Sequence, residues 1–188
     1  VEEMSNADMV QPEVVLSFWF DELKPENWFK KDLVLDKDIA RRFTSTHLAL
    51  AENIPDVWRA SADNVLALVI VLDQFPRNIY RGTPLAFATD GLALKEARAA
   101  TEANLDQSVD EKRRLFFYMP FEHSESFDDQ QRAVELFTSL GNAELLKYAH
   151  MHHEVIAEFG RFPHRNPILG RESTPDEVAY LAKPGAGF

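Results

Sequence analysis

Three short turns concentrate the residue types that bind anions and move protons. The first reads Phe-Pro-Arg-Asn-Ile-Tyr-Arg-Gly-Thr-Pro over residues 75–84 and the second Met-Pro-Phe-Glu-His-Ser-Glu over 119–125. The third reads Phe-Pro-His-Arg-Asn-Pro-Ile-Leu-Gly-Arg-Glu-Ser-Thr-Pro over 162–175 and nearly repeats the first. Together the outer turns hold Arg77, Arg81, Arg165 and Arg171, with Arg161 just ahead, and no lysine. A planar guanidinium grips carboxylate or phosphate through paired hydrogen bonds, where lysine offers a mobile point charge. Asn78 and Asn166 follow arginine in both turns and add amide donors and acceptors. The middle turn is opposite in charge, with Glu122, Glu125, Asp128 and Asp129 around His123. A histidine beside carboxylates can serve as a general acid or base.

Two outcomes follow if the turns meet. In one, arginine forks from the outer turns grip Glu122 and Glu125 as a structural network. In the other, surplus arginine with His123 and His164 faces a cavity and binds a small carboxylate or phosphate ester, helped by helix N-termini near Thr83, Ser126 and Thr174. The candidate ligand-binding set is Arg77, Asn78, Arg81, Glu122, His123, Glu125, Arg161, His164, Arg165 and Asn166. Catalytic residues stay unassigned. His150 and Glu154 share a helical face at i, i+4, but a zinc site needs an ordered third ligand, so no metal and no cofactor are expected. His152 falls on the stripe of Ala149, Ile156 and Phe159, which predicts a hydrogen-bonded histidine at the edge of the core. Ser124 adjoins His123 and Glu122, but neighbours along the chain do not make triad geometry. Neither a glycine-rich phosphate loop nor a nucleophile elbow is present.

The elements that must position these turns have a helical period. Val15, Phe18 and Trp19 start a first helix that should stop before Pro25; Asp36 is expected to cap a second carrying Ile39, Phe43 and Leu50. Residues 65–72 are almost wholly apolar and β-branched, as in a buried strand. The segment from Ser61 to Phe75 is too long for one and has no partner run, so a central helix apolar on all sides is predicted. Further helices begin at Asp90, Asp110 and Ser126, and one carries Leu145, Ala149, Ile156 and Phe159 to a stop at Gly160. Thr174, Pro175 and Glu177 form a capping box for the last. Each proline is expected to end the helix before it, because it cannot donate into a continuing helix. Pro76, Pro120 and Pro163 stand about 43 residues apart, the size of a two-helix unit in a stacked array, so the three turns should share one edge. The expectation is one all-α domain of stacked antiparallel helix pairs over 1–188, with loose termini at 1–10 and 183–188.

Composition bounds the function. The chain has 188 residues, no cysteine and a formal charge of −11. That excludes disulfide and thiol chemistry and fits the cytoplasm. The acidity argues against nucleic acid, and no apolar run or secretory signal points to a membrane.

Three strings carry a family resemblance: Leu-Asp-Gln-Phe-Pro-Arg-Asn-Ile-Tyr-Arg-Gly-Thr-Pro (72–84), Phe-Tyr-Met-Pro-Phe-Glu-His-Ser-Glu (117–125) and Phe-Gly-Arg-Phe-Pro-His-Arg-Asn (159–166). With them the chain resembles, from about Val14 to Leu181, a largely bacterial family catalogued as domain of unknown function 924. The resemblance implies an all-helical fold similar to tetratricopeptide arrays and carries over no catalytic residue. The chain departs from the standard tetratricopeptide signature in its repeat length and in lacking the Trp-Leu-Gly-Tyr pattern. Two functions stand open: a helical array whose polar turns bind a small anionic ligand, or a scaffold that binds a peptide or protein, its polar turns purely structural.

Overall fold

The computed structural model describes residues 8–188, and these fold without a strand. The expected loose N-terminal segment falls largely on residues 1–7, outside the described residues. The chain divides into two compact units. One runs to Arg81 and resumes over Leu85–Pro120; the other holds Gly82–Pro84 and Phe121–Phe188.

In the first unit, α1 (Pro12–Ser17) continues through a π-helical turn (Phe18–Glu22), followed by α2 (Pro25–Trp28) and α3 (Leu33–Glu52). The cap of α3 is Asp32, whose carboxylate accepts from the N–H groups of Val34 and Leu35, rather than Asp36. Asp36 sits in the first turn instead and is buried. Ser61 caps α4 (Ala62–Val69) as expected, accepting from the Asn64 N–H. Every residue from Val65 to Leu72 is buried, so from Val65 onward the helix is apolar on all sides. It runs on through a π-helical turn (Ile70–Gln74) into α5 (Phe75–Ile79).

Pro76 therefore does not end a helix. Its missing N–H would pair with Leu72 O in α-helical register, and the π turn breaks that register. The Thr89 hydroxyl donates to Leu72 O at 2.7 Å instead. Pro120 likewise lies inside α7 (Glu111–Glu122), beyond α6 (Asp90–Glu102). Of the three turn prolines, only Pro163 follows a finished helix. Rings from the π turn after α1 and from α2, α3, α5 and α7 fill the core of this unit: Trp28 meets Phe116 edge-on at 4.9 Å, and Phe43 lies 4.6 Å from Phe75. Such pairs add about 0.5–1.5 kcal/mol each beyond their area burial.

In the second unit, α8 (Phe127–Leu140) and α9 (Ala143–Phe159) form a tight hairpin. Asn142 caps α9 by accepting from the Glu144 and Leu145 N–H groups. Gly160, at φ +71°, takes the left-handed conformation that closes α9. A 3₁₀ turn (Pro163–Arg165) leads into α10 (Asn166–Leu169), and α11 (Pro175–Leu181) starts at the predicted Thr174–Glu177 capping box. Val155, Ile156 and Phe162 make a small core with Phe159 and Tyr180 against it.

Candidate functional site

The arginines of the first turn lie in the first unit and are engaged by carboxylates. Arg77 donates to both oxygens of Asp90, at 2.7 and 3.0 Å, and to Asp73 O at 2.7 Å. Arg81 forks onto Asp36 at 2.6 and 2.8 Å, and the Asn78 amide adds a third hydrogen bond at 2.9 Å. Burial pushes the Asp36 carboxyl up, but these bonds from Arg81 and Asn78 outweigh it and hold the group below its ordinary range.

In the second unit the same device recurs around Glu177. Arg161 forks onto it at 2.9 and 2.7 Å, and the Asn166 amide donates at 3.1 Å. The Arg161 bonds lead, and the Thr174 N–H adds to them, in holding the Glu177 carboxyl far below its ordinary range. Arg171 forks onto Glu125 at 2.9 Å through each nitrogen, and the Phe162 N–H reaches the same carboxylate at 2.8 Å. Arg171 also donates to Asn166 Oδ1 at 2.9 Å, which ties the two carboxylate nodes together. The middle turn is clamped from α8: the Gln130 amide donates to Glu122 O and Ser124 O, both at 2.7 Å. The Ser124 hydroxyl donates to Asp129 at 2.7 Å, so it caps its own turn.

Inside this frame lies a second group of ionisable side chains. Glu122, His152 and Arg165 are 3%, 7% and 8% exposed. Burial of three such groups together is costly unless they face one another or a ligand. His152 Nδ1 stands 2.8 Å from Tyr148 O and 3.4 Å from Glu122 Oε1. A carbonyl only accepts, so Nδ1 carries the proton and Nε2 holds the lone pair. No hydrogen bond from a described residue reaches Nε2. The Arg165 guanidinium lies 4.7 Å over the Phe162 ring and donates to His123 O at 3.0 Å. His152 meets the same Phe162 ring edge-on at 5.6 Å, and His164 lies 5.7 Å from it. Burial drives the His152 pKa down to about 3 against the pull of the Tyr148 carbonyl, and Arg165, with His123 and His164 when they are protonated, pushes the same way. The second unit thus encloses a neutral imidazole, a buried carboxylate and a local cationic field.

Of the residues singled out from the sequence, Glu122, His123, Glu125, Arg161, His164, Arg165 and Asn166 lie in the second unit, and Arg77, Asn78 and Arg81 in the first. Sequence reasoning gave His152 a structural role only; its i+4 step from Tyr148 and inward stripe carried the signal for its burial but not for the Glu122 contact. Asp36, Asp90 and Glu177, which hold the arginines, went unnoticed as partners because nothing local announces pairings 45, 13 and 16 residues away. His150 is exposed while His152 points inward, and among the described residues no three metal-ligating side chains converge. No helix of the described residues is long and apolar enough to cross a membrane.

Comparison with known proteins agrees with this fold. No curated protein matches the chain. A solved structure of a protein of unknown function, ATU0120 from Agrobacterium tumefaciens, is 43% identical and covers 91% of this chain and 96% of its own, with a TM-score of 0.87. The profile of the family described as "Bacterial protein of unknown function (DUF924)" matches residues 15–185. The chain belongs to the DUF924 family.

Proposed function

We propose that the second unit binds a small anion, a carboxylate or a phosphate, among Arg165, His123 and His164, beside the Glu122–His152 pair. One observation carries this reading. An imidazole and a guanidinium, each more than nine-tenths buried, sit against one aromatic ring, Phe162, and the imidazole lies 3.4 Å from an equally buried carboxylate, in a protein whose net charge is −11. The cationic field that helps depress the His152 pKa is also the field that would attract an anion. Arg161 and Arg171 serve as framework, spent on Glu177 and Glu125. An anion seated against His152 would favour its protonated form, so the Nε2 lone pair could take up a proton as the ligand enters.

The test is calorimetric titration of the full chain with inorganic phosphate and with acetate, run in two buffers of different ionisation heat near pH 5. Saturable binding with proton uptake is expected, and Arg165→Gln should weaken it about tenfold or more while the fold persists. A second reading, a scaffold for a protein or peptide, is favoured by Phe29, Leu33 and Val34 in the first unit, which are 57%, 62% and 79% exposed. It would leave both anions without heat.

A further inference from the structure

The geometry points to a ligand with a flat aromatic ring as well as a negative charge, and to Phe188 as the residue that stands where that ring would go. This inference rests on the anion-binding reading of the same site. The Phe188 ring lies parallel to the His152 imidazole, with centroids 3.6 Å apart and planes 16° off. The Phe162 and His164 rings meet it edge-on, at 6.2 and 5.9 Å. Three rings therefore border a slot, one stacked flat on Phe188 and two set nearly perpendicular to it, arrangements that aromatic quadrupoles prefer. Arg165, 4.7 Å over the Phe162 ring, places positive charge beside that slot, and His164 adds to it when protonated.

The occupant is lightly held. Phe188 is 48% exposed, although it covers a histidine that is almost wholly buried. It follows Lys183-Pro-Gly-Ala-Gly, a run with no helix to fix it. The Gly187 N–H donates to Tyr180 Oη at 3.3 Å, and Gly187 itself lies close against His164. A Cβ at position 187 would meet His164 Cβ at 3.1 Å, and the residue's φ of +82° disfavours any side chain there. Glycine is what lets this segment lie across the imidazoles. When the segment lifts, the face of His152 and the Phe162 and His164 rings beside it are exposed together. An aliphatic anion would satisfy the charges and leave the flat wall wet. An aryl carboxylate or aryl phosphate satisfies both.

The experiment compares phenyl phosphate with methyl phosphate, and benzoate with cyclohexanecarboxylate, by calorimetry at pH 7 on the full chain and on Phe188→Ala. The flat anions should bind about three- to tenfold more tightly than their saturated counterparts. Phe188→Ala should tighten the flat anions by a similar factor while leaving methyl phosphate within about twofold, since only the former compete with the ring. Gly187→Ala, which displaces the segment without deleting the ring, should act in the same direction. Equal affinity for flat and saturated anions overturns the inference and leaves the anion site standing. Weaker binding of phenyl phosphate to Phe188→Ala also overturns it, by making Phe188 part of the wall. No binding of any of the four compounds to either protein overturns both readings.

Discussion

The two near-repeated turns use one device and differ in what they surround. In the first unit Asp36 takes a fork from Arg81 and an amide from Asn78; in the second, Glu177 takes a fork from Arg161 and an amide from Asn166. Each carboxylate lies in the first turns of a helix, α3 or α11, where the helix dipole also favours its charge. Each unit also buries a neutral histidine, and there the likeness ends. His47 reaches Thr89 Oγ1 through Nε2 at 3.0 Å. The Thr89 hydroxyl spends its proton on Leu72 O, so it must accept from His47 Nε2–H. The proton of that imidazole is therefore committed inside the core, and the His47 Nδ1 acceptor is buried without a hydrogen bond. His152 commits Nδ1 instead, with the Glu122 carboxylate 3.4 Å away and the Arg165 cation acting on it. Burial alone makes a structural histidine. Burial beside a carboxylate and a cationic field makes a candidate for chemistry.

The comparison breaks first at its keystones. Asp36→Ala removes the partner of Arg81 and Asn78 and should cost about 3 kcal/mol in denaturant unfolding, as loss of one side of a buried pair does. Glu177→Ala should behave alike, and a cost in either within about 0.5 kcal/mol would mean that the forks are surface pairs of little consequence.

Acid should reveal the histidines next. His47 is pushed down to about 4 by burial and His152 to about 3, against about 6.5 in the unfolded chain. Below pH 6.5 the unfolded chain therefore binds protons that the folded one refuses. Stability rises with pH through this window and is lost on acidification, by up to about 3 kcal/mol per histidine at pH 4. The carboxyls of Asp36, Glu125 and Glu177, held below their ordinary values, add their loss only below about pH 4.5. Unfolding titrations of His47→Gln and His152→Gln should each flatten the slope between pH 4 and 6.5. An unchanged slope in both would contradict the buried-neutral assignment.

How much of this was legible in the sequence follows from the range of each interaction. Caps are local, so Ser61, Thr174 and Glu177 could be read from a few neighbouring residues. The buried helix over 65–72 was legible from length and the lack of a pairing strand. Pro76 and Pro120 misled; at Pro76 the π turn and the Thr89 hydroxyl that spare the helix its break leave no mark in a three-residue window. The arginines were visible as a group, but their partners come from α3, α6 and α11, and only folding decides which carboxylate each one meets. His152 shows the same limit: its inward face was readable, its neighbour Glu122 was not.

Smaller effects sharpen the contrast. Thr89→Val removes a donor to Leu72 O and an acceptor for His47 at once, and should cost about 2 kcal/mol in thermal or denaturant unfolding without touching anion binding. Arg81→Gln should likewise leave phosphate affinity within about twofold, because the guanidinium of Arg81 is already spent on Asp36 in the first unit. A parallel loss of affinity in Arg81→Gln and Arg165→Gln would erase the distinction between the two turns.

The most direct test is the ¹⁵N spectrum of the histidine rings at pH 7 during titration with phosphate and with phenyl phosphate. The account predicts a neutral Nδ1–H tautomer for His152 and the opposite, Nε2–H, for His47. It also predicts saturable shifts of the His123, His152 and His164 nitrogens, with His47 unmoved. Rings of the second unit that stay still through millimolar ligand, or a His47 that moves with them, would contradict it.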